Sequence, residues 1–224
     1  MNDIKTIIFD LDGVLWELNF KKLGLLVAQD LKIEENLIED FTKEVLNIIR
    51  VLLHTTDHFI TKELILDRMK EAVFEKYKVD TEQVYNSLMR VDYNYCENNP
   101  DSLPVIKELY ERGYNLVIKT NWVKDIQIEN LKRYGYYPYF NKVVGLLNSY
   151  VKPNPLSIKE IIEDNNPLEY IIVGDSPQKE MKLANYYHMK SIWLNEANQE
   201  LPADDSIKPT YEIHNIKEIL DILK

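Results

Sequence analysis

Residues 5–16 read KTIIFDLDGVLW, and this stretch decides the fold. Ile7, Ile8 and Phe9 form a short apolar run of the kind that makes a strand buried on both faces. The run stops at Asp10, and Leu11, Asp12 and Gly13 follow. Residues i and i+2 of a strand point the same way, while Gly13 permits a turn. Both carboxylates can therefore converge just beyond the C-terminal end of the strand, where open α/β sheets bind ligands. Two carboxylates that close repel each other unless a cation lies between them or one holds a proton. The plainer reading of this spacing alone is an acidic turn after a buried strand, and the rest of the chain decides between the two.

Downstream of Trp16 the strand grammar stops. Residues 20–97 hold no proline and a single glycine, Gly24. Apolar residues recur there at helical spacing: Leu37, Phe41, Val45, Ile48, Ile49 and Leu52, then Leu64, Leu66, Met69, Val73 and Phe74. The pattern predicts four helices, near 20–31, 34–53, 61–77 and 80–96. Thr61 and Thr81, each with a glutamate nearby, make helix starts. The segment LHTTDHFI, Leu53 to Ile60, joins the second and third helices. We expect a helical insert over 17–97 that moves as a unit about two links, Trp16–Phe20 and Glu97–Pro104. The second link carries the turn residues Asn98, Asn99 and Pro100. Closure would bring LHTTDHFI over Asp10, and His54, Asp57 and His58 are the expected specificity residues.

From Leu103 helices and strands alternate. Strands are predicted at Leu116–Ile118, Lys142–Leu146, Tyr170–Val173 and Ser191–Leu194. Helices are predicted at Val105–Arg112, Asp125–Tyr134, Pro155–Glu163, Glu180–Tyr187 and Ile216–Leu223. Gly113 and Gly135 stop two of them. This order calls for a doubly wound, parallel five-stranded α/β sheet with right-handed crossovers. The catalytic core would be residues 1–16 and 98–224.

Composition narrows the function. The chain of 224 residues has a formal net charge of −10, which argues against general nucleic-acid binding. The single cysteine, Cys96, excludes an intrachain disulfide and is read as a buried apolar residue. No apolar run approaches the roughly 20 residues of a membrane-spanning helix, and nothing resembles a signal peptide, so a cytoplasmic protein without membrane partners is expected.

Four strand ends carry polar residues in one sense: Asp10 with Asp12, Thr120 with Asn121, Lys152 after the third strand, and Asp175 with Ser176. All should gather at the carboxyl edge of the sheet. Asp10, Asp12 and Asp175 offer hard oxygen donors without nitrogen or sulfur, a set suited to Mg²⁺ shared with a substrate phosphate. One carboxylate can then attack phosphorus, and a second can protonate the leaving oxygen and deprotonate water. Thr120 and the amide of Asn121 can hold phosphate oxygens, and Lys152 supplies a point charge.

IIFDLDGVLW, IKTN, VKPNP and IIVGDSPQKEM resemble, in order and spacing, the four signature segments of the haloacid dehalogenase-like hydrolase superfamily. The insert falls where members with a four-helix cap carry theirs, and PTYEIHNIKEILDIL is similar to their final strand and helix. The resemblance implies a Rossmann-like core and a phosphatase. It assigns Asp10 as nucleophile, Asp12 as acid and base, and Thr120 as a phosphate ligand. Lys152 becomes the charge stabiliser, with Mg²⁺ held by Asp10, Asp175 and the Asp12 carbonyl.

Two places depart from the pattern. Glu180 stands where most relatives have Asp, so it would reach the metal through water or pair with Lys152. Trp16 and Glu17 stand where many have a small or acidic residue, and Trp16 is read as packing beneath the cap. The leading expectation is a Mg²⁺-dependent phosphohydrolase of a small phosphorylated metabolite. A phosphomutase, a phospho-ligand binder and a receiver-like signalling domain remain as alternatives. A dehalogenase has no use for Asp12.

Overall fold

In the computed structural model, which describes residues 4–54, 58–70 and 74–224, the strand that opens the chain becomes the centre of the sheet. That strand, β1 (Thr6–Phe9), is wholly buried. The chain then forms β2 (Trp16–Leu18), α1 (Phe20–Asp30), α2 (Ile38–His54), α3 (Lys62–Lys70), α4 (Thr81–Leu88) and β3 (Cys96–Asn98). After α5 (Ser102–Glu111) come β4 (Asn115–Val123), α6 (Lys124–Arg133), β5 (Lys142–Leu146), α7 (Lys159–Ile162), β6 (Tyr170–Gly174), α8 (Lys182–Tyr186), β7 (Lys190–Leu194), β8 (Tyr211–Ile213) and α9 (Ile219–Ile222).

The sheet has six parallel strands in the order β5-β4-β1-β6-β7-β8. The chain leaves β1 toward β4 and β5, then returns to the other side of β1 for β6. That reversal opens a crevice at the carboxyl end of β1. The period of two along β1 serves two cores: Ile7 and Phe9 join one apolar cluster, and Ile8 joins the other. α5, α6 and α9 cover the first face, and α7 and α8 cover the second. Five strands were expected. The sixth, β8, is a short edge strand tied to β7 by reciprocal bonds, Ser191 N to Thr210 Oγ1 at 3.1 Å and Thr210 N to Ser191 Oγ at 3.0 Å.

Helix α1 follows the predicted bounds; the helix expected over 34–53 begins with a 3-10 turn at Glu35–Leu37 and runs as α2 from Ile38 to His54, with its apolar stripe (Phe41, Val45, Ile48, Ile49, Leu52) buried as its spacing requires. The helix expected over 61–77 is described as α3 to Lys70, followed by a 3-10 turn at Glu75–Tyr77; Val73 lies outside the described residues. The helix expected over 80–96 ends at Leu88. Its start is fixed by a capping box between Asp80 and Gln83. Beyond it Tyr93 and Tyr95 are buried and Asn94 is exposed, a two-residue alternation that belongs to extended chain.

That extended chain runs into β3, which pairs antiparallel with β2: Trp16 opposite Asn98, Glu17 opposite Glu97, Leu18 opposite Cys96. The two links expected to act as separate hinges are thus one hydrogen-bonded ribbon. The insert also meets the core at a second place. Ile60 N donates to Ser149 O at 2.9 Å, Asn148 N donates to Ile60 O at 2.8 Å, and Phe59 meets Tyr150 ring to ring at 5.3 Å. Among the described residues no helix is long and apolar enough to cross a membrane.

Candidate active site

Asp10 leaves β1 with its N–H bonded to Val173 O of β6 at 2.9 Å, so the neighbouring strand fixes where its side chain starts. The backbone then closes a tight turn. Leu15 N donates to Leu11 O at 2.8 Å, and Gly13 N donates to Trp16 O at 2.8 Å. Gly13 has φ +79°, and a Cβ there would collide with the Asp175 carboxylate, so only glycine permits the turn and this approach.

Lys152 lies between two carboxylates, 2.7 Å from Asp10 Oδ1 and 2.6 Å from Glu180 Oε1, with Lys152 2% and Glu180 0% exposed. Burial works against the charge on Lys152, but Asp10 and Glu180 outweigh it and hold the ammonium above its ordinary range. Asp10 Oδ1 also accepts the Leu11 N–H at 2.8 Å, which keeps the carboxylate from rotating. The loop carrying Lys152 is clamped from β4: Lys152 N donates to Asn121 Oδ1 at 2.8 Å, and Asn121 Nδ2 donates to Lys152 O at 3.1 Å. The side-chain amide of Asn121 therefore holds the loop. Glu180 lies in a π-helical turn, Pro177–Met181, where its Oε2 accepts from Ser176 N at 3.2 Å. Gly174 makes room for it, since a Cβ there would strike the Glu180 side chain.

Asp12 belongs to a second network. Its carboxylate accepts from Trp16 Nε1 at 2.9 Å, from Gln127 Nε2 at 3.1 Å to each oxygen, and from Thr120 Oγ1 at 3.4 Å. Burial, reinforced by Asp10, pushes the Asp12 carboxyl up to about 7 against these bonds. Asp175 is pushed up to about 6, by burial first and then by Asp10. Oxygens of Asp10, Asp175 and Glu180 lie within 4.8 Å of one another. A cavity of about 210 Å³ opens above this floor, and its walls include Asp10, Asp12, Asp175, Glu17, Leu53 and Trp122.

The structure brings Asp10, Asp12, Asn121, Lys152 and Asp175 together as expected. Thr120 is fully buried, its hydroxyl within the Asp12 network. Glu180 pairs with Lys152, the second of its two expected arrangements. Lys179 reaches the cavity wall, and Lys124 is exposed at the start of α6. Lys119 is 1% exposed and turned to the opposite face, as the strand alternation from Thr120 requires. From LHTTDHFI the cavity wall includes Leu53, while His54 and His58 are exposed and outside that wall. Thr55, Thr56 and Asp57 lie outside the described residues.

Sequence reasoning missed two positioning groups. Trp16, read as packing beneath the cap, packs against Tyr134 and Tyr136 after α6 and also bonds Asp12. Gln127, 0% exposed on α6, carries an extended relay, with Asn130 Nδ2 donating to its Oε1 at 3.3 Å and to Cys96 Sγ at 3.2 Å. The signal for Gln127 was its place between Ile126 and Asn130 on the buried side of α6.

Residues 7–194 match the family model described as haloacid dehalogenase-like hydrolase, and the chain belongs to that family. It is 30% identical over 137 residues to a glyceraldehyde 3-phosphate phosphatase of Methanopyrus kandleri, a match spanning 59% of each chain. It is 26% identical over 229 residues to a glyceraldehyde 3-phosphate phosphatase of Methanocaldococcus jannaschii, covering 99% of this chain and 97% of that one. The fold is shared with the hydrolase YfnB of Bacillus subtilis, solved bound to magnesium, with a TM-score of 0.66, 20% identity and 99% coverage of both chains.

Proposed function

We propose that this protein is a Mg²⁺-dependent phosphohydrolase of small phosphorylated metabolites, with the phosphoryl group carried transiently on Asp10. The observation that supports it most is the buried Asp10–Lys152–Glu180 group beside a separately bonded Asp12 held at about 7. One carboxylate is immobilised and the other is poised to gain and lose a proton near neutrality.

The residues fit the metal. Three carboxylates converge within 4.8 Å, and Gly13 leaves the space that Asp175 enters. Asp10, Asp175 and the backbone carbonyl of Asp12 would hold it, since the Asp12 carboxylate is taken up by Trp16 and Gln127. When bound, Mg²⁺ supplies the positive charge that lets a phosphate dianion approach this acidic floor.

In this reading the Asp10 carboxylate attacks phosphorus, and the bond to the leaving oxygen breaks. Asp12, protonated, gives its proton to that oxygen. It then takes a proton from the water that attacks the phosphoryl group and restores Asp10. Lys152 keeps its charge throughout and holds Asp10 in line. Residues 17–97 form a cap hinged on the β2–β3 ribbon, and the Ile60–Ser149 contact is its closed position. The names of the two archaeal relatives support a small phosphate ester as substrate.

Phosphate release from a panel of metabolite phosphates tests the proposal. Release should stop on EDTA treatment and return with Mg²⁺. Metal-independent release, or conversion of a sugar phosphate to its isomer without free phosphate, would contradict it.

A further inference from the structure

We propose that Lys119 is a positioning residue: it holds the loop that receives the cap on one side and carries Lys152 into the site on the other. The tie is a matter of geometry, and its effect on turnover rests on the phosphatase reading above.

Strand β4 is apolar and buried from Leu116 to Ile118, as a strand covered on both faces must be. Lys119 breaks that run while staying buried, and among the described residues no carboxylate lies within ion-pair distance of it. An apolar side chain would be cheaper to bury here. The amino group instead donates to Tyr150 O at 3.0 Å, and to Ser149 Oγ and Thr120 O at 3.3 Å each. Ser149 Oγ donates in turn to Tyr150 O at 2.9 Å. Two of the three acceptors therefore belong to the loop that follows β5. That loop needs holding. β5 pairs regularly with β4 as far as Lys119 opposite Val144, and the register then shifts before Val123. The chain leaves β5 through Leu147 and Asn148, at φ +74° and +54°, two consecutive residues in the left-handed region. For a leucine this backbone is strained, and such strain persists only where the surroundings impose it.

Two parts of the molecule depend on the loop. On one side the cap pairs with it, through Ile60 N to Ser149 O and Asn148 N to Ile60 O. On the other side the loop passes through buried Val151 into Lys152, whose backbone is clamped to Asn121. Three consecutive residues of β4 thus hold three parts of the site: Lys119 the Ser149–Tyr150 segment, Thr120 the Asp12 carboxylate, and Asn121 the Lys152 backbone. Lys119 faces away from the Asp12 network, so it touches no reacting group and acts through the loop. Without its amino group, Leu147 and Asn148 are free to relax out of the left-handed region. The Ser149 carbonyl then moves off Ile60, and Lys152 approaches Asp10 from a looser support.

Amide hydrogen exchange of the whole chain by NMR, together with kinetics on para-nitrophenyl phosphate and Mg²⁺, tests the proposal. In Lys119→Met the Ile60 and Asn148 amides should exchange about tenfold faster or more, while the amides of β1 and β6 keep their protection. KM should rise, because the cap closes on a displaced loop, and kcat should fall, because Lys152 is less firmly placed, each by about three- to tenfold. Ser149→Ala, at a partly exposed position, removes one acceptor and should move the same two amides and KM the same way by less. It carries the test if Lys119→Met does not fold. The double variant should behave as Lys119→Met alone, since both changes act on one loop. Unchanged exchange at Ile60 and Asn148, faster exchange spread evenly over the sheet, or effects that add in the double variant would overturn the proposal. The two readings fail separately. If the wild-type protein hydrolyses no ester, the phosphatase reading falls and the two amides still decide the tie. If Asp10-dependent hydrolysis keeps its KM and kcat in Lys119→Met, the positioning role falls and the phosphatase stands.

Discussion

At the floor of the site, Lys152 lies 2.7 Å from Asp10 and 2.6 Å from Glu180, so one buried ammonium answers two carboxylates. At the rim, Glu17 stands across the ribbon from Glu97, and both are exposed. The floor is desolvated, and each charge there is costly unless its partner stays in place. The rim keeps access to water, so an unbalanced pair costs little. Preorganisation thus belongs to the floor, where the charges are buried and paired.

The same contrast appears between two buried lysines. Lys152 has carboxylates and is held above its ordinary range. Lys119 has only neutral partners, Tyr150 O at 3.0 Å and Ser149 Oγ and Thr120 O at 3.3 Å. Burial, aided by Lys152, brings it down to about 7 from an ordinary 10.5.

The largest effect is expected at the floor. Asp10→Asn should lower kcat by at least about a thousandfold with the fold intact, since no other group can replace the attacking oxygen. A variant retaining a tenth of the wild-type rate would break the distinction between floor and rim. Asp12→Asn comes next, with a loss of roughly 10²–10⁴-fold for alkyl esters and a smaller loss for aryl esters, whose leaving oxygen hardly needs a proton. Equal losses for both, with ester cleavage shown to be rate-limiting, would remove Asp12 from that role.

Lys152→Met should destabilise the metal-free protein by about 3–5 kcal/mol in urea unfolding, because two buried carboxylates lose their partner. Adding Glu180→Gln should recover part of the loss. No loss would show that the floor is not a charge-balanced unit.

Lys119→Met gives a smaller effect with a defined sign. Between about pH 7 and pH 10.5 the unfolded chain holds a proton that folded Lys119 has lost, so this group's contribution to stability rises with pH across that window. The stability difference, variant minus wild type, should therefore fall by about 3 kcal/mol from pH 7 to pH 9.5. A difference that grew with pH would mean Lys119 folds protonated. Smallest is Phe59→Ala, which removes the ring contact with Tyr150. A loss of about 0.5–1.5 kcal/mol at the cap contact is expected, read as a modest rise in KM with kcat little changed.

The floor was legible in the sequence because apolar runs end abruptly at Asp10 and Asp175, and a strand end in a parallel sheet has only one place to be. Lys152 was legible from its place after the third strand. The network around Asp12 was not. Gln127 sits in a helix where a glutamine reads as surface, and only packing of α6 against the turn after β1 makes it a buried donor. The ribbon was hidden for a related reason. Each of its strands is three residues long, too short for a periodic signal, and its pairing joins residues some eighty positions apart.

The most direct test is to find where the phosphoryl group goes. The enzyme is mixed with a turned-over ester and Mg²⁺, quenched in acid within the first turnovers, and its peptides are mapped by mass. The proposed mechanism places one phosphoryl group on the peptide containing Asp10, and none in Asp10→Asn. A phosphoryl group on another residue would contradict it, as would phosphate released at the full rate with no acid-stable adduct on Asp10 at any quench time.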